Sequence, residues 1–129
     1  MDGQHPSGIW STVLSSPDPR SLAQFYSRLL GWEIRTEDPT WVTLAAPDGP
    51  AYLAFHIDER YVRPTWPSDA DHQQMMMHLD FAVSDLTSAV ASAVEAGAHE
   101  AEFQPQDDVR VMIDPDGHPF CLWHYPETA

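Results

Sequence analysis

The fold is decided by one short stretch, HLDFAVSD, at residues 78–85. Apolar residues alternate with other residues up to Val83, which is typical of a strand with one buried face. Asp85 then precedes apolar residues at helical spacing, so we expect it to cap a helix that ends near Gly97. The stretch therefore predicts a strand followed at once by a helix, and three further short strands come after it.

The same order of elements occurs earlier in the chain. Asp18 is the predicted start of a first helix, and Gly31 is its predicted end. The two capping aspartates are 67 positions apart, whereas the Pro-Asp-Gly turns at 47–49 and 115–117 are 68 positions apart. We align the last strands of the two copies with the same offset of 68 positions as the turns. The chain is therefore predicted to repeat one β-α-β-β-β unit.

The repeat predicts a single α+β domain over residues 1–129. Unit one covers about 8–58, a proline-containing linker covers 59–74, and unit two covers about 75–126. Each unit alone would leave one face of its sheet bare. We therefore expect the two units to form a curved mixed sheet around a central cavity, with the helices on the outer face.

Composition excludes several classes of partner. The chain has 6 Lys and Arg against 20 Asp and Glu, a net charge of −14, which disfavours nucleic acid and anionic membranes. It has no apolar run of the roughly 18 residues that span a bilayer. The single cysteine excludes an internal disulfide, and the first residues lack the basic and apolar parts of a secretory signal. We expect a cytoplasmic protein with a neutral or cationic small-molecule ligand.

The repeated pattern resembles the vicinal oxygen chelate superfamily, which contains glyoxalases, extradiol dioxygenases and bleomycin-resistance proteins. The resemblance is strongest in glyoxalase-like members of unassigned chemistry. It is carried by Asp18 with Phe25-Tyr26 and Leu30-Gly31, by residues 78–85 with Gly97-Ala98, and by residues 114–120. It implies the fold, and it implies a homodimer because two-unit chains of this kind commonly pair.

The resemblance also implies a divalent metal, held by the first and last strand of each unit. The corresponding positions are Ser11 and His78, seven residues before each capping aspartate, and Leu53 and Cys121, four residues after each turn glycine. Only His78 is a standard ligand, so we expect no metal and no other cofactor. A rearranged site formed by His78, Asp80 and Cys121, which zinc fits best, is the alternative.

Alternation along the strands assigns side chains to the cavity. His78 and Asp80 lie on the cavity side, because Leu79 and Phe81 are apolar and face the helix. The other predicted ligand-binding residues form a largely apolar and aromatic pocket, which is typical of small-molecule sites. They are Trp41, Leu53, Phe55, Trp66, Met76, Arg110, Met112, Cys121 and Trp123.

Each polar candidate has two interpretations. His78 beside Asp80 suits proton transfer, and it equally suits a structural hydrogen bond between near neighbours on a strand. Arg110 suits a clamp for a substrate carboxylate or a pair with one of the many acids. Cys121 is either a nucleophile or a small apolar side chain.

Three functions follow from these candidates. The first is a metal-independent protein that binds a neutral or cationic, partly aromatic compound. The second is a lyase or isomerase that uses His78 and Asp80 for proton transfer, with or without a divalent metal. The third is an accessory protein that binds a partner and has no turnover.

Overall fold

The computed structural model describes residues 10–49 and 52–125, and it has the predicted α+β architecture. The chain divides into two compact units, Met1–Tyr61 and Val62–Ala129. The predicted outer bounds of the repeat, residues 8 and 126, lie outside the described residues. The predicted linker at 59–74 has no helix or strand, and its part from Val62 onward belongs to the second compact unit.

Unit one has the element order β-α-β-β-β. Its elements are β1 (Ser11–Ser16), α1 (Pro19–Leu30), β2 (Glu33–Asp38), β3 (Trp41–Ala45) and β4 (Tyr52–Ile57). The strands form one mixed sheet in the order β1-β4-β3-β2. β1 is parallel to β4, and the other pairs are antiparallel.

Unit two repeats this topology. Its elements are β5 (Leu79–Val83), α2 (Leu86–Ala96), β6 (His99–Glu100), β7 (Val109–Ile113) and β8 (Pro119–His124). The sheet order is β5-β8-β7-β6, with β5 parallel to β8. Neither α1 nor α2, the helices of the described residues, is long and apolar enough to cross a membrane.

The helix ends are where the sequence predicts them. The Ser21 amide donates to Asp18 at 3.3 Å, and the Ser88 amide donates to Asp85 at 3.1 Å. These bonds satisfy amides that have no partner within the helix. Gly31 ends α1 with a φ of 71°, a left-handed conformation that glycine adopts without steric cost.

The core of unit one lies between α1 and one face of its sheet. Phe25 and Tyr26 of α1 are fully buried, and the Tyr26 ring stacks on Phe55 with centroids 5.6 Å apart. Leu53 lies on the same strand face as Phe55 and is 5% exposed. Leu53 and Phe55 therefore face the helix, and the prediction that they share a cavity face with Trp41 is wrong.

The length of one connection explains this error. β1 pairs Thr12 with Leu53, and β5 pairs Leu79 with Phe120, so Leu53 corresponds to Phe120 at an offset of 67. The connection after the Pro-Asp-Gly turn is one residue longer in unit one than in unit two. Because side chains alternate, the assumed offset of 68 moved every side chain of β4 to the opposite face. The true counterpart of Cys121 is Ala54.

Candidate functional site

The candidate site lies on the face of the unit-two sheet that is opposite α2. On the α2 side, Phe81 contacts Phe120 with ring centroids 6.0 Å apart. On the other side, Cys121 is paired with Asp80 of β5 and with Val111 of β7, so these three residues form a row across the sheet. We call this side the Asp80 face.

Three titratable side chains meet on the Asp80 face. His78 lies just before β5, and its Nε2 is 3.1 Å from Oδ1 of Asp80. Cys121 completes a group whose ligand atoms all lie within 4.8 Å of one another. We call His78, Asp80 and Cys121 the polar cluster. The structure thus brings together the two predicted catalytic residues and the predicted third zinc ligand.

The thiol of the polar cluster is held in its neutral form. Burial raises the pKa of Cys121 to about 11, and the negative charge of Asp80 and a hydrogen bond to its carboxylate act in the same direction. Only the thiolate is strongly nucleophilic. The environment of Cys121 therefore favours the small apolar interpretation over the nucleophile.

The polar cluster borders an apolar floor. Ala101, Val111 and Ile113 are buried together, and Trp66 and Cys121 pack against them. The indole Nε1–H of Trp66 donates to the backbone oxygen of Phe103 at 3.0 Å, which fixes the orientation of the ring. Trp66 comes from the predicted linker, so this segment supplies part of the site.

A cavity of about 460 Å³ lies beside Trp66. Its lining includes Arg63, His99 and Ile113. The Arg63 guanidinium donates to the backbone oxygen of Pro115 at 2.9 Å and lies against Gly117, where φ is 94°. Arg63, three residues before Trp66, is therefore packed against the turn that precedes β8.

Arg110 and Met112 lie on the α2 side of the sheet. They pair with Leu122 and Phe120, and Met112 is fully buried. The Arg110 guanidinium donates to the backbone oxygen of Gln106 at 3.0 Å, and its Nε is 3.5 Å from Glu100. The prediction that Arg110 and Met112 share a face with His78 and Asp80 is therefore wrong. The more apolar face of β7, with Val111 and Ile113, packs against Trp66 and not against α2, so alternation alone did not identify the correct face.

Three further predicted ligand-binding residues lie in three different places: Trp123 on the Asp80 face, Met76 before β5, and Trp41 in unit one. Trp123 pairs with Val109 and Ala82, which places it on the Asp80 face, and its ring is 5.6 Å from Tyr125. Met76 is 85% exposed, in the segment before β5. Trp41 belongs to unit one and contacts His56 with centroids 6.0 Å apart.

Comparison with known proteins agrees with this architecture. The family sequence model of the glyoxalase-like domain matches residues 11–123 of this chain. The chain belongs to the glyoxalase-like family. Among solved structures of this fold, the glyoxalase/bleomycin resistance protein/dioxygenase family enzyme of Burkholderia phytofirmans PsJN has a TM-score of 0.68 at 16% identity, covering 87% of this chain and 94% of that chain. The glyoxalase/bleomycin resistance protein of Albidiferax ferrireducens T118 has a TM-score of 0.64 at 18% identity, covering 93% and 100%.

Curated relatives of this glyoxalase-like chain are longer proteins. The anthracycline biosynthesis protein DnrV of Streptomyces peucetius is 31% identical over 121 aligned positions, and the match covers 85% of this chain and 44% of that protein. The anthracycline biosynthesis protein DauV of Streptomyces sp. (strain C5) is 30% identical with the same coverage. The chain spans less than half the length of these relatives.

The four-position ligand set that the resemblance implies for a divalent metal is incomplete in this glyoxalase-like chain. With the register of β4 established, the unit-one positions are Ser11 and Ala54, and the methyl group of Ala54 has no donor atom. In unit two, the corresponding metal-ligand positions hold His78 and Cys121. Hard cations prefer carboxylates and water to a thiol. Within the described residues, the polar cluster is the group whose donor types suit zinc.

Two cavity-lining residues of unit one were not predicted from the sequence. Thr43 and Tyr52 lie on the same sheet face as Trp41, and they line a second cavity. Leu53 and Phe55 alternate with less apolar residues, which indicates that Tyr52 lies on the face away from the helix. The faces of β4 were instead assigned from the repeat offset of 68, which reversed them.

Proposed function

We propose that this glyoxalase-like chain is a small-molecule-binding protein that takes a neutral or cationic, partly aromatic compound on the Asp80 face, without the family's metal. One observation carries the proposal. The carboxylate of Asp80, 56% exposed and 3.1 Å from the His78 imidazole, is the cross-strand neighbour of Cys121, and Cys121 and Trp66 pack against the apolar floor. An apolar surface with a few convergent polar groups is what small-molecule sites usually present.

The geometry of Trp66 supports an aromatic ligand. Its indole is oriented by the hydrogen bond to Phe103 and by packing on the apolar floor. A ring that is already fixed loses little conformational freedom when a ligand stacks on it. A cavity of about 460 Å³ is lined by Trp66 together with Ala101 and Ile113 of the apolar floor, so a ring has space beside both, while the polar cluster lies outside this lining.

Charge supports a neutral or cationic ligand. Asp80 is the acid of the polar cluster, and the chain as a whole has a net charge of −14. A cation about 4 Å from a carboxylate gains roughly 1 kcal/mol in water and about 4 kcal/mol near a protein surface. The indole face attracts cations as well.

The names of the curated relatives support the same chemistry. Both are anthracycline biosynthesis proteins, and anthracyclines are fused-ring aromatic compounds. Because this chain spans less than half of each relative, we transfer only the ligand class. The cationic anthracycline doxorubicin is therefore a suitable first probe.

Calorimetric titration with doxorubicin tests the proposal. After treatment with a chelator, the wild-type chain should bind the probe. Asp80→Asn removes the charge with little change in shape, and the affinity should fall about five- to tenfold, which corresponds to roughly 1–1.4 kcal/mol. Glu95→Gln is the matched control, because Glu95 lies on α2 and is exposed. No binding, or equal affinity in the two variants, would contradict the proposal.

A second candidate function is proton transfer in a lyase or isomerase. It is favoured by the 3.1 Å contact between Nε2 of His78 and Asp80. A carboxylate that accepts from Nε2–H leaves Nδ1 as the proton acceptor, which is the form a general base requires. Incorporation of solvent deuterium into a bound ligand tests it. Loss of incorporation in His78→Ala supports catalysis, and unchanged incorporation contradicts it.

A further inference from the structure

Unit one contains a β-bulge that changes the direction of one arginine. In the ladder between β2 and β3, Ile34 pairs with Leu44 and Thr36 pairs with Thr43, so Arg35 is an extra residue. The Thr36 amide donates to Oγ1 of Thr43 at 3.1 Å, and Thr43 is 9% exposed. A nearly buried hydroxyl therefore holds the bulge in place.

The bulge brings two consecutive residues to the same side of the sheet. Leu44 is fully buried on the α1 side, and its partner Ile34 lies on that side too. In a regular strand Thr36 would also face α1, but its pairing with Thr43 places it on the other side with Arg35. Bulges are common where a sheet directs a side chain toward a site.

Arg35 and Thr36 line a cavity of about 370 Å³ on this side. Trp41, Thr43 and Tyr52 form other parts of its lining. Among the described residues that line this cavity, Arg35 is the one with a charge. We call it the Arg35 pocket. It combines the rings of Trp41 and Tyr52, three hydroxyls including that of Tyr52, and one guanidinium.

We propose that the Arg35 pocket is a second ligand site, which takes a planar aromatic carboxylate of one or two rings. The guanidinium of Arg35 binds the carboxylate, and Trp41 and Tyr52 contact the ring. The inference goes beyond the proposed function, since it uses the other unit and a ligand of opposite charge.

The chemistry of the lining supports this ligand class. A guanidinium is planar and donates two parallel hydrogen bonds to a carboxylate, a geometry that fixes the ligand's orientation. The Trp41 ring is held by its edge contact with His56, so it offers a stable surface. The volume of about 370 Å³ is within the usual range of about 300–1,000 Å³ for ligand pockets, at the small end.

Glu33 is a competitor built into the same strand. Its Oε2 is 3.2 Å from Nη2 of Arg35, and the two side chains are 76% and 64% exposed. Ion pairs with this exposure contribute little, because water and salt screen them. A ligand carboxylate that also contacts the aromatic walls therefore displaces Glu33. Removing the charge of Glu33 should raise the affinity for the ligand.

Titration of the full chain with 2-naphthoate, followed by tryptophan fluorescence, tests the inference. The wild-type chain should bind 2-naphthoate at least tenfold more tightly than its neutral methyl ester. Arg35→Gln should remove this preference, and Glu33→Gln should strengthen 2-naphthoate binding about two- to fivefold. Arg20→Gln is the matched control, because Arg20 is an exposed cation on α1, which packs on the opposite face.

The inference would be overturned by no binding of 2-naphthoate, by equal binding of acid and ester, or by equal affinity in Arg35→Gln and Arg20→Gln. Circular dichroism of each variant verifies its fold, and Arg35→Met, which also removes the charge, should lose the preference for the acid if Arg35→Gln does not fold. Asp80→Asn should leave 2-naphthoate binding unchanged. A loss in Asp80→Asn would place the acid on the Asp80 face and also refute the inference, whereas failure of doxorubicin binding alone would refute only the proposed function.

Discussion

The substitution Asp80→Asn should make the thiol of Cys121 more reactive. In the folded chain the pKa of Cys121 is raised from 9.0 to about 11, chiefly by burial and then by the charge and hydrogen bond of Asp80. A shift of this size lowers the thiolate fraction about a hundredfold at pH 8, because each pKa unit is a factor of ten. Removing the charge of Asp80 cancels only the smaller part of this pKa shift, because burial is its larger cause. We expect alkylation about three- to tenfold faster than in the wild type.

The pH dependence of alkylation by iodoacetamide measures this effect. Mass spectrometry gives the rate between pH 7 and 11.5 for the wild type, Asp80→Asn and the control Glu95→Gln. The midpoint of the profile reports the pKa and is insensitive to steric shielding of the thiol, which lowers all rates alike. In urea the midpoint should return to the ordinary pKa of a cysteine thiol, about 8.5–9. A midpoint in Asp80→Asn that equals or exceeds the wild-type value would show that the charge of Asp80 does not raise the pKa of Cys121.

Three further predictions concern stability and the corrected faces. Because the pKa of Cys121 is raised on folding, the wild type should lose stability relative to Cys121→Ser as the pH rises from about 9 to about 11, and denaturation at several pH values measures the difference. Phe55→Ala should lower the free energy of unfolding by about 3–5 kcal/mol, since it removes the ring beneath Tyr26, and an effect under 1 kcal/mol in urea denaturation would contradict that packing. Arg110→Gln should leave doxorubicin affinity within about twofold, because Arg110 lies on the α2 side, and calorimetry showing a larger loss would restore the original prediction.

The topology could be predicted from the sequence because local features determine it. Asp18 and Asp85 each accept a hydrogen bond from the helix that they precede, and Gly31 and Gly97 end those helices. The position of a capping residue depends on its near neighbours alone. Two such helices, each followed by three short strands, were enough to predict the repeat.

The faces of the strands were harder to predict, because they depend on long-range pairing. An error of one residue in the connection after Gly49 moved Leu53 and Phe55 to the wrong side of β4. In β7 the apolar residues Val111 and Met112 are neighbours and both are buried, so periodicity did not separate the faces. The bulge at Arg35 is set by pairing with β3, which a single strand does not reveal.

Nuclear magnetic resonance of the full chain, titrated with doxorubicin in the presence of a chelator, tests whether the ligand binds on the Asp80 face. The indole N–H of Trp66 is a sharp reporter, because it donates to Phe103 beside the apolar floor. If the ligand binds on the Asp80 face, this signal and the backbone amides of Asp80, Val111 and Cys121 should shift together, with one affinity and without added metal. Shifts confined to other residues, or shifts that require zinc, would contradict metal-independent binding on this face.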